Sequence, residues 1–140
     1  MVKVLCLEDD PYCWGIADFL GERGYQVEIT PSLSQLTYLL ECKYGINTFD
    51  YLLFDISLPR ETIQHKDGRV VCYDSPLPGI EYLINNRDLF LPKALDGKVA
   101  IVTGHPNFST ELDYEFLRLI PVIGKADDDF LRQLTNFLRC

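Results

Sequence analysis

The sequence has no Cys-x-x-Cys pair, no cluster of Lys and Arg, and no apolar run approaching the ~20 residues that a helix needs to cross a bilayer. Each absence removes a class of function. Scattered singly, Cys6, Cys13, Cys42, Cys72 and Cys140 fit reduced, mostly buried thiols better than a disulfide framework or a zinc site. With 13 Lys and Arg against 21 Asp and Glu, the formal charge of -8 argues against direct nucleic-acid binding, because a phosphate backbone is held by clustered cations. Membrane insertion is not expected either. Met1-Val2-Lys3 leads straight into a strand rather than a signal peptide, so a cytoplasmic location is expected. No internal repeat or low-complexity segment is present.

What is there is an ordinary globular balance, 47% apolar and 24% charged, in a chain long enough to bury roughly 70% of its unfolded surface. Residues 1–140 are read as a single domain. Val2 to Leu7 is a first strand, stopped by Glu8-Asp9-Asp10, and Pro11 suits the first turn of a helix capped by Asp10. Ile16, Phe19 and Leu20 give that helix one apolar face, and Gly24 ends it. Tyr25 to Ile29 is the second strand. Leu33, Leu36, Leu39 and Leu40 form the inward face of the next helix, which Gly45 closes. Tyr51 to Phe54 is an unbroken apolar run too short for an exposed helix, hence a third strand buried on both faces. Asp55 sits where that strand must end, because Pro59 forbids the ladder from continuing.

The alternation breaks over residues 60–78, a segment longer than the ~2 to 6 residues usual in α/β connections. Lys66-Asp67-Gly68 between two extended runs, Thr62 to His65 and Arg69 to Tyr73, signals a small hairpin or flap. Its role is read as decoration or partner contact in preference to a lid. A helix with Ile80, Leu83 and Ile84 inward follows, its end made ragged by Asn85-Asn86 and Pro92. Val99 to Thr103 is the fourth strand, then comes a helix carrying Phe108, Leu112 and Phe116, and Ile120 to Ile123 is the fifth strand, ended by Gly124-Lys125. From about Asp127 the last helix places Phe130, Leu131, Leu134, Phe137 and Leu138 on one face.

Five strands alternating with five helices imply a flavodoxin-like, doubly wound parallel sheet with helices on both faces, in the order 2-1-3-4-5 common to such folds. That order brings Glu8 and Asp9 beside Asp55 and flanks them with Thr103 and Lys125. Three converging carboxylates need a cation, a shared proton or solvent to coexist. A partly hydrated Mg²⁺ suits such a site. Asp55 can then act as a nucleophile on phosphorus, with Lys125 and Thr103 donating to the phosphoryl oxygens. His105, His65 and the run Asp127 to Asp129 read as solvated, and Tyr12, Cys13 and Trp14 as packing.

These residues resemble the receiver domains of two-component response regulators. Leu5-Cys6-Leu7-Glu8-Asp9-Asp10-Pro11 is similar to that family's acidic cluster, and Leu53-Phe54-Asp55-Ile56-Ser57-Leu58-Pro59 to its phosphorylation segment. Val99-Ala100-Ile101-Val102-Thr103-Gly104 is similar to the segment with its switch hydroxyl, and Gly124-Lys125 to the end of its fifth strand. The resemblance covers the chain apart from residues 60–78, and implies a stand-alone receiver. It implies Asp55 as phosphoacceptor for a histidine kinase or phosphotransfer protein, and a downstream protein target of unknown identity. Asp9 would bind Mg²⁺ directly, Glu8 more often through water, and the carbonyl of Ser57 would be a further ligand; Thr103 and Lys125 would contact the phosphoryl group. The protein would then be a self-phosphorylating and self-dephosphorylating acceptor rather than a turnover enzyme. Two positions differ from the family: Ala126 stands where Pro usually follows the lysine, and Val122 where an aromatic residue is usual. Together with the insertion over residues 60–78 they keep open the alternative of a pseudo-receiver, a protein-interaction module independent of phosphorylation. An aspartate-dependent phosphohydrolase of the haloacid dehalogenase type is disfavoured by Ser57, which stands where that chemistry wants a second Asp. A flavodoxin-like flavin binder lacks its Ser/Thr/Gly-rich loop after the first strand.

Overall fold

A computed structural model describes residues 1–10, 14–104 and 115–138. The central sheet is parallel, built from β1 (Lys3–Leu7), β2 (Gln26–Thr30), β3 (Tyr51–Phe54), β6 (Val99–Thr103) and β7 (Val122–Gly124) in the order β2-β1-β3-β6-β7. Counted along the chain this is the 2-1-3-4-5 order expected. Successive strand residues point to opposite faces, so both faces of the three inner strands, β1, β3 and β6, must be apolar. Leu5, Leu7, Leu52, Phe54, Val99 and Ile101 pack on one side against α2 (Leu33–Tyr38), α3 (Pro78–Asn85), α4 (Arg87–Leu95) and α5 (Glu115–Arg118). Val4, Cys6, Tyr51, Leu53, Ala100 and Val102 pack on the other against α1 (Trp14–Glu22) and α6 (Phe130–Leu138). The two layers bury the whole of β3, from Tyr51 to Phe54.

Several local readings shift. The second strand is one residue later than Tyr25–Ile29, and the fifth runs Val122–Gly124 rather than from Ile120. Asp127 to Asp129 form turns, so α6 starts at Phe130, and Leu131 faces outward at 47% exposure while Leu134 and Leu138 are buried. A separate helix, α4, follows Asn86 despite Pro92 within it; only the ragged end of α3 was expected there. Phe90 and Ala94, both buried, hold α4 on the sheet and offset the helix bond that Pro92 cannot donate. Of the described cysteines only Cys6 is buried; Cys42 and Cys72 are exposed, because the outer side of the π-helical segment Leu39–Lys43 that continues α2 and the outer face of the inserted strands carry them to the surface. Pro11, Tyr12, Cys13, His105, Phe108, Leu112, Cys140 and the side chain of Trp14 lie outside the described residues.

Between β3 and α3 the chain makes an antiparallel hairpin of β4 (Glu61–Gln64) and β5 (Val70–Tyr73), turning at Gly68, whose φ of 95° suits glycine. The hairpin lies against α2 and α3. Glu61 reaches the start of α2, where its Oε2 accepts from the Leu33 amide at 2.9 Å and its Oε1 from the Ser34 hydroxyl at 2.6 Å. Ser32 Oγ accepts from the Gln35 amide on the same turn, so α2 starts with two side-chain acceptors for its orphan N–H groups.

Candidate functional site

β1 and β3 are adjacent and parallel, with Leu7 opposite Phe54, so the residues that follow each strand emerge together. The Asp55 amide donates to the Leu7 carbonyl at 2.9 Å, and the Glu8 amide to that of Thr30 at 3.0 Å. Both strands therefore stay in the ladder up to the two acids. Glu8 and Asp55 are buried and Asp9 is exposed. Carboxylate oxygens of the three lie within 4.8 Å of one another.

On the far side, β6 and β7 pair Thr103 with Gly124, and the Lys125 amide donates to the Thr103 carbonyl at 2.8 Å. This fixes the root of the lysine beside the fully buried Thr103. Lys125 Nζ is 3.2 Å from Asp55 Oδ2 and also pairs with Glu8 Oε2. The other Asp55 oxygen, Oδ1, accepts from the Ser57 amide at 3.1 Å, and the Asp10 amide donates to Glu8 Oε1 at 3.0 Å. Glu8, Asp9, Asp55 and Lys125 thus share one charged cluster, while Thr103 and Ser57 border it through the backbone.

Three carboxylates against one ammonium leave the cluster short of positive charge. Burial pushes the Glu8 carboxyl up to about 7, with the Asp55 charge adding to the rise and the Lys125 hydrogen bond opposing it. Asp9 is also raised, by burial first and by Asp55 second. A hard divalent ion with oxygen ligands would relieve both, and Mg²⁺ takes one or two carboxylates plus waters. The donor set therefore fits Mg²⁺: oxygen only, convergent and anionic.

The two departures are also placed. Val122 is 38% exposed on β7, and no cis peptide bond occurs among the described residues, so Lys125 and Ala126 are joined in trans. Behind Asp55, Gly79 donates its amide to the Ile56 carbonyl at 3.1 Å. A Cβ on Gly79 would lie 2.5 Å from the Asp55 carbonyl oxygen, so only glycine allows α3 to start this close.

A second polar cluster was not foreseen. His65, expected to be solvated, is 2% exposed: its Nδ1 lies 2.8 Å from Glu41 Oε2 and its Nε2 lies 2.7 Å from the Tyr73 hydroxyl. Asn86 Nδ2 donates to the same hydroxyl at 3.1 Å, and Arg69 Nη2 donates to Asn86 Oδ1 at 2.8 Å. Burial follows from the hairpin folding back on the end of α2. The signal was the period-two pattern of Glu61, Ile63 and His65, which puts His65 on the face that buries Ile63.

No protein-family model matches the chain, and no curated protein sequence matches it. Solved structures do. The non-phosphorylated receiver domain of HemR from Leptospira biflexa is 19% identical with a TM-score of 0.60, covering 99% of this chain and 92% of that one. A CheY-like response regulator receiver domain from Methylobacillus flagellatus is 19% identical, TM-score 0.60, with 97% of each chain covered. A response regulator from Burkholderia pseudomallei with a phosphorylated aspartic acid, a calcium ion and citrate is 18% identical, TM-score 0.61, over 99% of this chain and 66% of that one. No helix among the described residues is long and apolar enough to cross a membrane. In strand order, crossovers and layers, the chain has the fold of a response-regulator receiver domain.

Proposed function

We propose that the chain is a phosphoacceptor in two-component signalling, taking a phosphoryl group from a histidine kinase or phosphotransfer protein onto Asp55. The observation that carries this reading is the convergence of Glu8, Asp9 and Asp55 within 4.8 Å, with the Lys125 ammonium 3.2 Å from Asp55. An Asp55 oxygen attacks phosphorus; the new O–P bond forms as the donor's P–N bond breaks, and the freed imidazole takes a proton. The Ser57 amide holds Oδ1 and the Lys125 ammonium lies 3.2 Å from Oδ2, so the carboxylate is oriented through both oxygens before attack. Lys125 and Thr103 then donate to the phosphoryl oxygens.

Mg²⁺ would be held by Glu8, Asp9, Asp55 and the Ser57 carbonyl, and would supply positive charge against the incoming phosphoryl group. Asp9, the exposed member, is the one solvent reaches directly. The signal would pass onward by protein contacts, in the cytoplasm. A phosphate-trapping gel tests the acceptor: a small acyl phosphate with Mg²⁺ shifts the wild type and leaves Asp55→Ala unshifted, whereas equal shifts refute it.

A second reading, the phosphorylation-independent interaction module, is favoured by one observation: Lys125 already bridges Glu8 and Asp55, an internal cation where the first reading needs a divalent one. Calorimetry separates the two. Mg²⁺ binding at millimolar concentration, lost in Asp9→Asn, favours the acceptor; its absence favours the module.

A further inference from the structure

Asp55 and the inserted hairpin are joined by two continuous routes. The first is a file of rings that starts at Phe54, the residue before Asp55. Phe54 meets Phe90 with 5.3 Å between centroids, Phe90 meets Tyr82 at 6.2 Å, and Tyr82 meets Tyr73 at 5.1 Å. His65 closes the file, 6.0 Å from both tyrosines. Phe54, Phe90, Tyr82 and Tyr73 are at most 1% exposed, so one cannot shift without displacing the next.

The second route is α3 itself. Its start is pressed on the Asp55 carbonyl at Gly79, and just past its end Asn86 is bonded to Tyr73 and Arg69 of the hairpin. A movement of the Asp55 backbone therefore acts on one end of a helix whose other end holds the hairpin. The hairpin has separate fastenings on α2, Glu61 at its start and Glu41 beyond its end, the latter also accepting from the Lys66 amide at 2.7 Å.

We infer that the hairpin Glu61–Tyr73 is thermodynamically linked to the state of Asp55: loading of the carboxylate and fastening of the hairpin through His65 shift each other's equilibrium. The inference rests on the phosphoacceptor reading. It gives residues 61–73 a definite role, that of a reporter element whose attachment to α2 and α3 changes when Asp55 is occupied. Linkage is reciprocal, so the effect of occupancy on the hairpin and of the hairpin on occupancy must agree in sign.

The test uses the full chain, with Mg²⁺ and beryllofluoride as the probe. Amide exchange is followed at Lys66, bonded to Glu41, and at Leu33, bonded to Glu61, with and without the probe. Beryllofluoride affinity is then compared for wild type, His65→Gln, Tyr73→Phe and the outward-facing control Thr62→Ala. The expected result is a change of at least about fivefold in exchange at both amides, the low end of ordinary coupling. Affinity in His65→Gln and Tyr73→Phe shifts in the sense that reciprocity requires, by no more than the same factor, while Thr62→Ala matches wild type. Unchanged exchange in a wild type that binds the probe overturns the linkage and leaves the acceptor reading standing; so do shifts of opposite sign. A wild type that does not bind the probe overturns both. The exchange measurement needs no variant, so it decides the matter even if His65→Gln does not fold.

Discussion

Glu8 at the sheet edge and His65 under the hairpin are almost equally buried, at 1% and 2% exposure, yet their surroundings answer burial differently. Around His65 every polar atom meets a neutral or complementary partner: a carboxylate on one ring nitrogen, a hydroxyl on the other, an amide on that hydroxyl. Around Glu8 one ammonium and the Asp10 amide face two more carboxylates, and burial drives the carboxyl up to about 7. A satisfied network of the first kind holds elements in place. An unbalanced cluster of the second kind is kept at a cost to stability, and it is poised to accept charge from outside. The same degree of burial therefore marks a satisfied anchor in one place and a charge-unbalanced cluster in the other.

The difference can be broken by substitution. Removing the carboxylate at the centre of the unbalanced cluster has the largest effect on chemistry: Asp55→Asn is expected to lose covalent loading to background while keeping its melting temperature within a few degrees. In the anchor the balance is reversed. His65→Leu strips partners from Glu41 and the Tyr73 hydroxyl and is expected to destabilise by about 1–3 kcal/mol in denaturant melts. Gly79→Ala, which drives a methyl into the Asp55 carbonyl, is expected to cost a similar ~1–3 kcal/mol by overpacking. Gly21→Ala in α1, with nothing within 4 Å, is its control and should stabilise by roughly 0.5–1 kcal/mol.

Titration sharpens the contrast further. Glu8 has a folded-state value of about 7 against an ordinary 4.5, so the native state binds its proton more tightly than the unfolded chain does. Its contribution is complete below about pH 4.5 and is lost as pH rises toward 7. Metal-free protein is therefore expected to lose melting temperature over that window, and Glu8→Gln should flatten the loss. Added Mg²⁺ should offset it at the upper end. The smallest effect is expected at the exposed pair Arg132 and Asp129, where Arg132→Ala should change stability by less than about 0.5 kcal/mol.

Legibility in the sequence followed the same divide. The five sheet strands, their order and the meeting of Glu8, Asp9, Asp55 and Lys125 could be read in advance, because a run such as Tyr51 to Phe54 has one stable placement and the strand order then fixes which ends adjoin. Asp67-Gly68 likewise marked a turn between extended runs. What could not be read were packing decisions made elsewhere in the chain. Pro92 argued against a helix that Phe90 and Ala94 nonetheless hold on the sheet. His65, at the end of an extended run, looked solvated until Glu41 and Tyr73 closed over it, and Leu131 matched a helical stripe that α6 turns outward. Local pattern specifies which face is apolar; tertiary contact decides which polar groups are covered as well.

The most direct measurement is intact-protein mass spectrometry after exposure to a small acyl phosphate, with and without Mg²⁺. If Asp55 is the acceptor and the acids hold the cation, the wild type gains the mass of one phosphoryl group only when Mg²⁺ is present, and Asp55→Asn gains none. A gain of equal size in Asp55→Asn, or no gain in the wild type at saturating Mg²⁺, would contradict it.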